Sequence, residues 1–212
     1  MRKRKILFTA LAVVLVCSIS VVGTLAFLQK ESNGVTNTFT AAPDLCGSFV
    51  LDESQAIQNN DGSYTLNPSA RVQANTYVLA PGVTYEKDPT VTITGKTETA
   101  AYLYLAVLDG KPATVQYTID SKWVQMGTIT KDSETYDLYY YDANGDGADL
   151  IVSDSDATLT YNVLTNNQFQ TTSQFTPDTA QFTLTCYAYL AQASAGTDAA
   201  TAYAACFGAF TP

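Results

Sequence analysis

The chain has 212 residues, 20 acidic and 11 basic, for a net charge of −9, and it contains no histidine. Without histidine it cannot build a His-ligated zinc site, a Ser-His-Asp triad or a Cys-His dyad, and its acidic balance disfavours nucleic acid and anionic lipid as partners. Many Thr, Tyr and Val with few long helix formers point to β-structure.

Arg2, Lys3, Arg4 and Lys5 form a basic n-region, and the apolar run from Ile6 to Leu28 follows without a charge. This predicts a signal peptide over 1–26 as an N-terminal signal helix, with Thr24 and Ala26 at the small-residue positions of the cleavage site and Phe27 as the first mature residue. The run is long enough to span a bilayer if cleavage fails, so membrane contact is expected only through the uncleaved segment. Cys17 follows Val16, where a lipoprotein site needs Gly, Ala or Ser, which argues against lipidation. Taking the four n-region bases from the 11 leaves seven against 20 acidic residues, a mature charge of about −13.

Residues 27–41 are expected to be an N-terminal strand. Val35, Asn37, Phe39 and Ala41 fall on one face, with Thr36, Thr38 and Thr40 on the other. A strand behind a free end can add to an open sheet edge of another copy, or it can pair within its own chain.

The remainder, 42–212, reads as one β-sandwich domain of eight to ten short strands separated by turn residues. Cys46 to Leu51 is a short strand, and Gln58 to Ser63 is a turn centred on Asp61-Gly62. Tyr77-Val78-Leu79 leads into a Pro81-Gly82 turn that needs glycine for positive φ. Val91 and Ile93 alternate with threonines. The strongest core strand follows, with Ala101, Leu103, Leu105 and Val107 on one face and Tyr102, Tyr104 and Ala106 on the other. Val115, Tyr117 and Ile119 alternate next, before the single tryptophan, Trp123. Tyr136 to Tyr141 and Ala148 to Val152 flank Asp142-Ala143-Asn144-Gly145-Asp146-Gly147, which reads as a hairpin turn. Leu159, Tyr161 and Val163 form a strand, as do Phe182, Leu184, Cys186, Ala188 and Leu190, with Thr183, Thr185, Tyr187 and Tyr189 opposite. Thr197 or Asp198 caps a short Ala-rich helix ending near Phe207, where Gly208 stops it.

Three cysteines remain in the mature chain, which allows at most one internal disulfide; Cys186 and Cys206 are the expected pair. Asp142, Asn144 and Asp146 fill positions 1, 3 and 5 of a calcium loop and Gly147 fills position 6. Position 12 is Ser153 rather than Glu, and the flanks read as strands, so the segment is a turn before it is a metal site. No two carboxylates stand out as an acid–base pair, and no cofactor is expected. The tyrosines Tyr102, Tyr104, Tyr139, Tyr141, Tyr187 and Tyr189 either stabilise an outward sheet face by cross-strand pairing or offer an aromatic surface to a glycan or a subunit.

The order of these segments resembles the TasA/camelysin family of secreted matrix proteins. The resemblance rests on the signal, on Asn37-Thr38-Phe39-Thr40, on Pro81-Gly82 followed by Lys87-Asp88-Pro89-Thr90-Val91, on Trp123, on Tyr139-Tyr140-Tyr141, and on Tyr187-Ala188-Tyr189-Leu190-Ala191-Gln192. It implies a jelly-roll sandwich, export through a dedicated signal peptidase, and a non-enzymatic role as a self-associating subunit of matrix or cell-surface fibres. The camelysin branch has been described as metalloproteases; a histidine-ligated version of that activity is excluded here by composition. The other expectation that fits the residues is a monomeric surface module binding a glycan or a protein.

Overall fold

The computed structural model describes residues 45–176 and 182–212. The signal segment with Thr24, Ala26 and Phe27, and the strand 27–41 with Val35, Asn37, Phe39 and Ala41, lie outside the described residues.

The described chain is all-β with one short α-helix near its end. Its strands are β1 (Ser48–Gln58), β2 (Tyr64–Val72), β3 (Thr84–Glu86), β4 (Thr90–Thr94), β5 (Ala101–Asp109) and β6 (Val115–Gln116). They continue with β7 (Trp123–Lys131), β8 (Glu134–Tyr141), β9 (Leu150–Ile151), β10 (Thr158–Asn162), β11 (Gln168–Thr171) and β12 (Leu184–Gln192), and α1 (Ala199–Phe207) follows. Three antiparallel sheets result, with orders β10-β4-β1-β2, β12-β5-β8-β7 and β3-β11-β6; β9 also pairs with β5.

The first two sheets share a core. Val91 and Ile93 of β4 are fully buried against Leu103, Leu105 and Val107 of β5, with Trp123, Tyr161, Val163 and Leu190 completing the cluster. Trp123 closes one border, its Nε1 donating to the Asn162 carbonyl at 2.8 Å. Each such side chain contributes about 1.5–3 kcal/mol by leaving water, so the β5 alternation is the main determinant of this layer.

The even-numbered face of β5 is buried as well. Tyr104 and Ala106, with Leu138 of β8, pack beneath Ala199, Ala202 and Tyr203 of α1. A nine-residue helix is too short to be stable alone. Here the Asp198 carboxylate accepts from the Thr201 amide in a capping box, and Tyr104 donates its hydroxyl to the Ala199 carbonyl at 2.6 Å. The six tyrosines singled out in the sequence do not share one outward face, and Tyr189 pairs across strands with Tyr104. Tyr104 is under the helix, while Tyr139 and Tyr141 face the shared core, Tyr141 with its ring 5.2 Å from Trp123 and 4.7 Å from Tyr161.

Other departures have local causes. The expected strand at Cys46–Leu51 begins at Ser48 and runs on to Gln58, because β1 changes partner midway: Ser48–Asp52 pairs with β4, and Glu53–Gln58 with β2. Val115 to Ile119 yields only the two-residue β6 plus an isolated Ile119–Leu164 bridge. β8 and β9 do not pair as a hairpin. Both lie along the same side of β5, β8 opposite Tyr104–Val107 and β9 opposite Ala101–Tyr102, and the Asp142 segment is a loop between them, closed by Asp149 N–H to the Tyr141 carbonyl. The tight hairpin is instead β7–β8, turning through Asp132 and Ser133 at φ 53° and 70°.

Candidate functional site

Two strand edges border one trough. Among the described residues β12 pairs only with β5, and the Ser48–Asp52 half of β1 pairs only with β4. The inward faces of these two segments meet across the gap: Phe49 and Leu51 from β1, and Leu184, Cys186 and Ala188 from β12, all partly buried against the shared core. This part of the trough has a volume of about 460 Å³. It continues into a wider chamber of about 740 Å³ under the third sheet, lined by Tyr77, Tyr117, Phe169, Phe175 and Phe182. The aromatic walls pack on Tyr85, Val115 and one another, with Tyr85 and Phe169 stacked at 4.9 Å.

An ion pair sits where trough and chamber meet. Lys87 Nζ donates to Glu53 Oε2 at 2.6 Å, with the two side chains 14% and 7% exposed, and the ammonium lies 5.6 Å from the Tyr77 ring. Beside it, Asp88 accepts from the Ser54 amide and hydroxyl, both at 2.7 Å, and from Arg71 at 3.0 Å. Arg71 also grips Asp52 through Nε and Nη2 at 2.9 and 2.7 Å. Burial works against the guanidinium charge, and Asp52 and Asp88 outweigh it, so the Arg71 pKa is raised. Asn75 ties the following loop to β1, accepting from the Ala56 amide and donating to the Ser54 carbonyl. These contacts clamp the register shift of β1 at Ser54/Gln55, just past the change of partner between Asp52 and Glu53. The Lys87-Asp88-Pro89 triplet noted in the sequence thus works as one clamp, with Pro89 lining the trough.

Cys186 is on the trough floor. Burial pushes its thiol up to about 12, with Lys87 lowering and Glu53 raising it, so at neutral pH it is a protonated, unreactive thiol. The expected Cys186–Cys206 disulfide is not formed. Cys186 faces the shared core from β12, whereas Cys206 is exposed on α1, which covers the opposite face of the same sheet. Cys46 is buried, its thiol donating to the Ser48 carbonyl.

The Asp142 loop is held by its own carboxylates. Asp142 accepts from the amides of Asn144, Gly145 and Gly147 at 3.2, 2.6 and 3.0 Å, and Asp149 from that of Ala143 at 2.9 Å. Burial raises the Asp142 pKa, and the amides of Gly147, Gly145, Asn144 and Asp146 lower it further than that, leaving it below the usual carboxylate value. Asp142, Asp146 and Asp149 bring carboxylate oxygens within 4.8 Å of one another. Ser153, at position 12 of the calcium pattern, is buried and its amide bonds to Thr97 Oγ1. Asp142 and Asp149 thus bond the loop's own amides.

Comparison of the chain with family models, with curated proteins and with solved structures gave no match. Among the described residues no helix is long and apolar enough to cross a membrane. The clamp residues Glu53, Ser54, Arg71 and Asn75 were not singled out in the sequence. Their partners are 17 to 34 residues away, and no local spacing marks them.

Proposed function

We propose that this protein is a secreted, non-enzymatic structural subunit that assembles into matrix or cell-surface fibres by strand exchange, with the trough between β1 and β12 as the acceptor and residues 27–41 of a second copy as the donor. The observation that carries the reading is that, among the described residues, β12 and the Ser48–Asp52 half of β1 each keep an open edge facing one slot floored by Phe49, Leu51, Leu184, Cys186 and Ala188. An inserted strand would meet main-chain donors and acceptors on β12 or β1 and apolar side chains beneath it. Fifteen extended residues reach about 50 Å, enough to follow the nine-residue β12. Each ladder hydrogen bond contributes roughly 1 kcal/mol net, and Val35 and Phe39 supply apolar anchors. In this reading the fold is a jelly roll completed by the added strand. The resemblance to the TasA/camelysin family, export by a dedicated signal peptidase and cleavage before Phe27 belong to the same proposal.

The aromatic chamber favours a second reading, a monomeric module that binds a glycan by stacking on Tyr77, Tyr117 and the phenylalanines. Size-exclusion chromatography and electron microscopy of the exported protein separate the two. Concentration-dependent fibres that disappear on Val35→Asp with Phe39→Asp support strand exchange. A protein that stays monomeric across concentration, pH and salt, or fibres that survive the double substitution, contradict it.

A further inference from the structure

We propose that the outer edge of β7 is a second strand-addition site, filled in cis by the chain's own residues 208–212, and that its occupant on release is β7 of a second copy, paired antiparallel about a two-fold axis. This surface is at the opposite border of the sheet from the trough, and the proposal does not depend on strand exchange there.

The observations start at Thr128. Its N–H donates to the Thr211 carbonyl at 2.6 Å, and the Thr211 N–H donates back to the Thr128 carbonyl at 2.8 Å, the reciprocal pair of an antiparallel ladder. The bridge sits beside a register shift in β7 between Gln125 and Gly127. Gly127 has φ 153°, and a Cβ there would collide with the Thr211 carbonyl, the Phe210 ring and the Pro212 Cα, so the tail is seated tightly on the bulge. Gly208, at φ 103°, turns the chain out of α1 towards this edge, and Phe210 anchors the tail with its ring 5.9 Å from that of Tyr203.

Among the described residues the tail bridges β7 only at Thr128. Backbone groups on an antiparallel strand alternate in direction, so Thr130, two residues past Thr128, points its N–H outward as well. Thr130 is exposed. β7 carries a single charge, Lys131 at its last position, in a chain of net charge −9. An antiparallel copy paired about Thr128 would therefore hold the two Lys131 side chains at opposite ends rather than face to face, and an edge without opposed like charges is the kind that pairs with its equal. The neighbouring sheet's border strand, β2, carries Pro68 and Arg71, which blunt it without a strap.

The test releases the tail in the exported protein carrying Val35→Asp and Phe39→Asp, so that association through 27–41 is suppressed. Light scattering after size-exclusion is compared for three chains on that background: no further change, Phe210→Ser with Thr211→Pro, and the latter plus Thr130→Pro. The proposal expects the released chain to form dimers at micromolar concentration and the Thr130→Pro chain to return to the size of its parent. Exchange of the Thr128 amide should be at least tenfold slower in the parent than in the Thr130→Pro chain. If Phe210→Ser unfolds the protein by circular dichroism, Thr211→Pro alone, which keeps the Phe210 anchor, is read in its place. A folded, released chain that stays at its parent's size, or association that Thr130→Pro leaves intact, overturns the proposal. Because the comparison is with the parent, fibres persisting in the parent would count against strand exchange and not against this site.

Discussion

The two borders of the five-stranded sheet are treated in opposite ways. At β7 the chain's own tail supplies a two-bond bridge and an aromatic anchor. At β12 no described strand is added, although Leu184, Cys186 and Ala188 line an apolar slot beneath it. Exposed edges are a hazard that folded proteins cover, charge or shorten. Here one border is strapped by the chain's own residues and the other has a slot beneath it.

The largest expected effect comes from filling the slot. Ala188→Arg places a long charged side chain between β1 and β12 and should abolish elongation, while the melting temperature stays within a few degrees because Ala188 is only partly buried. Fibres of ordinary length from this variant would break the contrast between the borders. At the strapped end, Tyr203→Ala removes the ring that touches Tyr104, Tyr189, Phe207 and Phe210. Tyr203 is 3% exposed, so denaturant unfolding should show a loss of roughly 3–4 kcal/mol, the cost of truncating a buried aromatic. A loss under 1 kcal/mol would mean that the helix and tail are not held as described.

Lys87→Met sharpens the comparison at the trough. It leaves Glu53 buried without its partner, and breaking such a pair costs roughly 3 kcal/mol. Lys87→Met with Glu53→Met should recover most of that loss in the same urea titration; failure to recover would show that the pair does more than satisfy its own charges.

The smallest effect concerns pH and the turn. The Thr201 amide and hydroxyl hold the Asp198 carboxyl below its ordinary value of 3.8, and the loop amides, against burial, do the same for Asp142. Carboxylates depressed on folding add stability that is present above the unfolded pKa and is lost as pH falls through the lower folded value. Melting temperature should therefore be insensitive to these groups from pH 7 to about 5 and should fall below about pH 4. Asp142→Asn should flatten part of that acid limb, and millimolar calcium should leave the melting temperature of the parent unchanged. A calcium-dependent rise of several degrees, lost in Asp142→Ala, would make the loop a metal site.

What could be read from the sequence follows from where the determining interactions lie. Alternation in Ala101–Val107 and in Leu184–Leu190 is local and two-sided, and both strands formed with the expected faces. The helix was equally legible, since Asp198 and Gly208 bound it within one segment. β7 was not, because Gly127 and the register shift interrupt its alternation, and its hairpin turns on Asp132-Ser133 rather than on an Asn-Gly or Asp-Gly pair. Asn144-Gly145 and Asp146-Gly147 carried the hairpin signal instead, yet the chain there rejoins β5 beyond a loop, because β5 is long enough to take both β8 and β9. The trough was out of reach for a different reason. An unpaired edge is defined by what is not beside it, and the Glu53–Lys87 pair joins residues 34 positions apart.

The most direct test of the account mixes two defective chains. Val35→Asp with Phe39→Asp cannot donate a strand but keeps its trough, and Ala188→Arg cannot accept one but keeps its strand. Each alone should be monomeric by light scattering. Mixed in equal amounts they should form a one-to-one heterodimer and nothing longer, since the single competent strand meets the single competent trough. A mixture that remains monomeric, or variants that polymerise alone, would contradict strand addition at the β1–β12 trough.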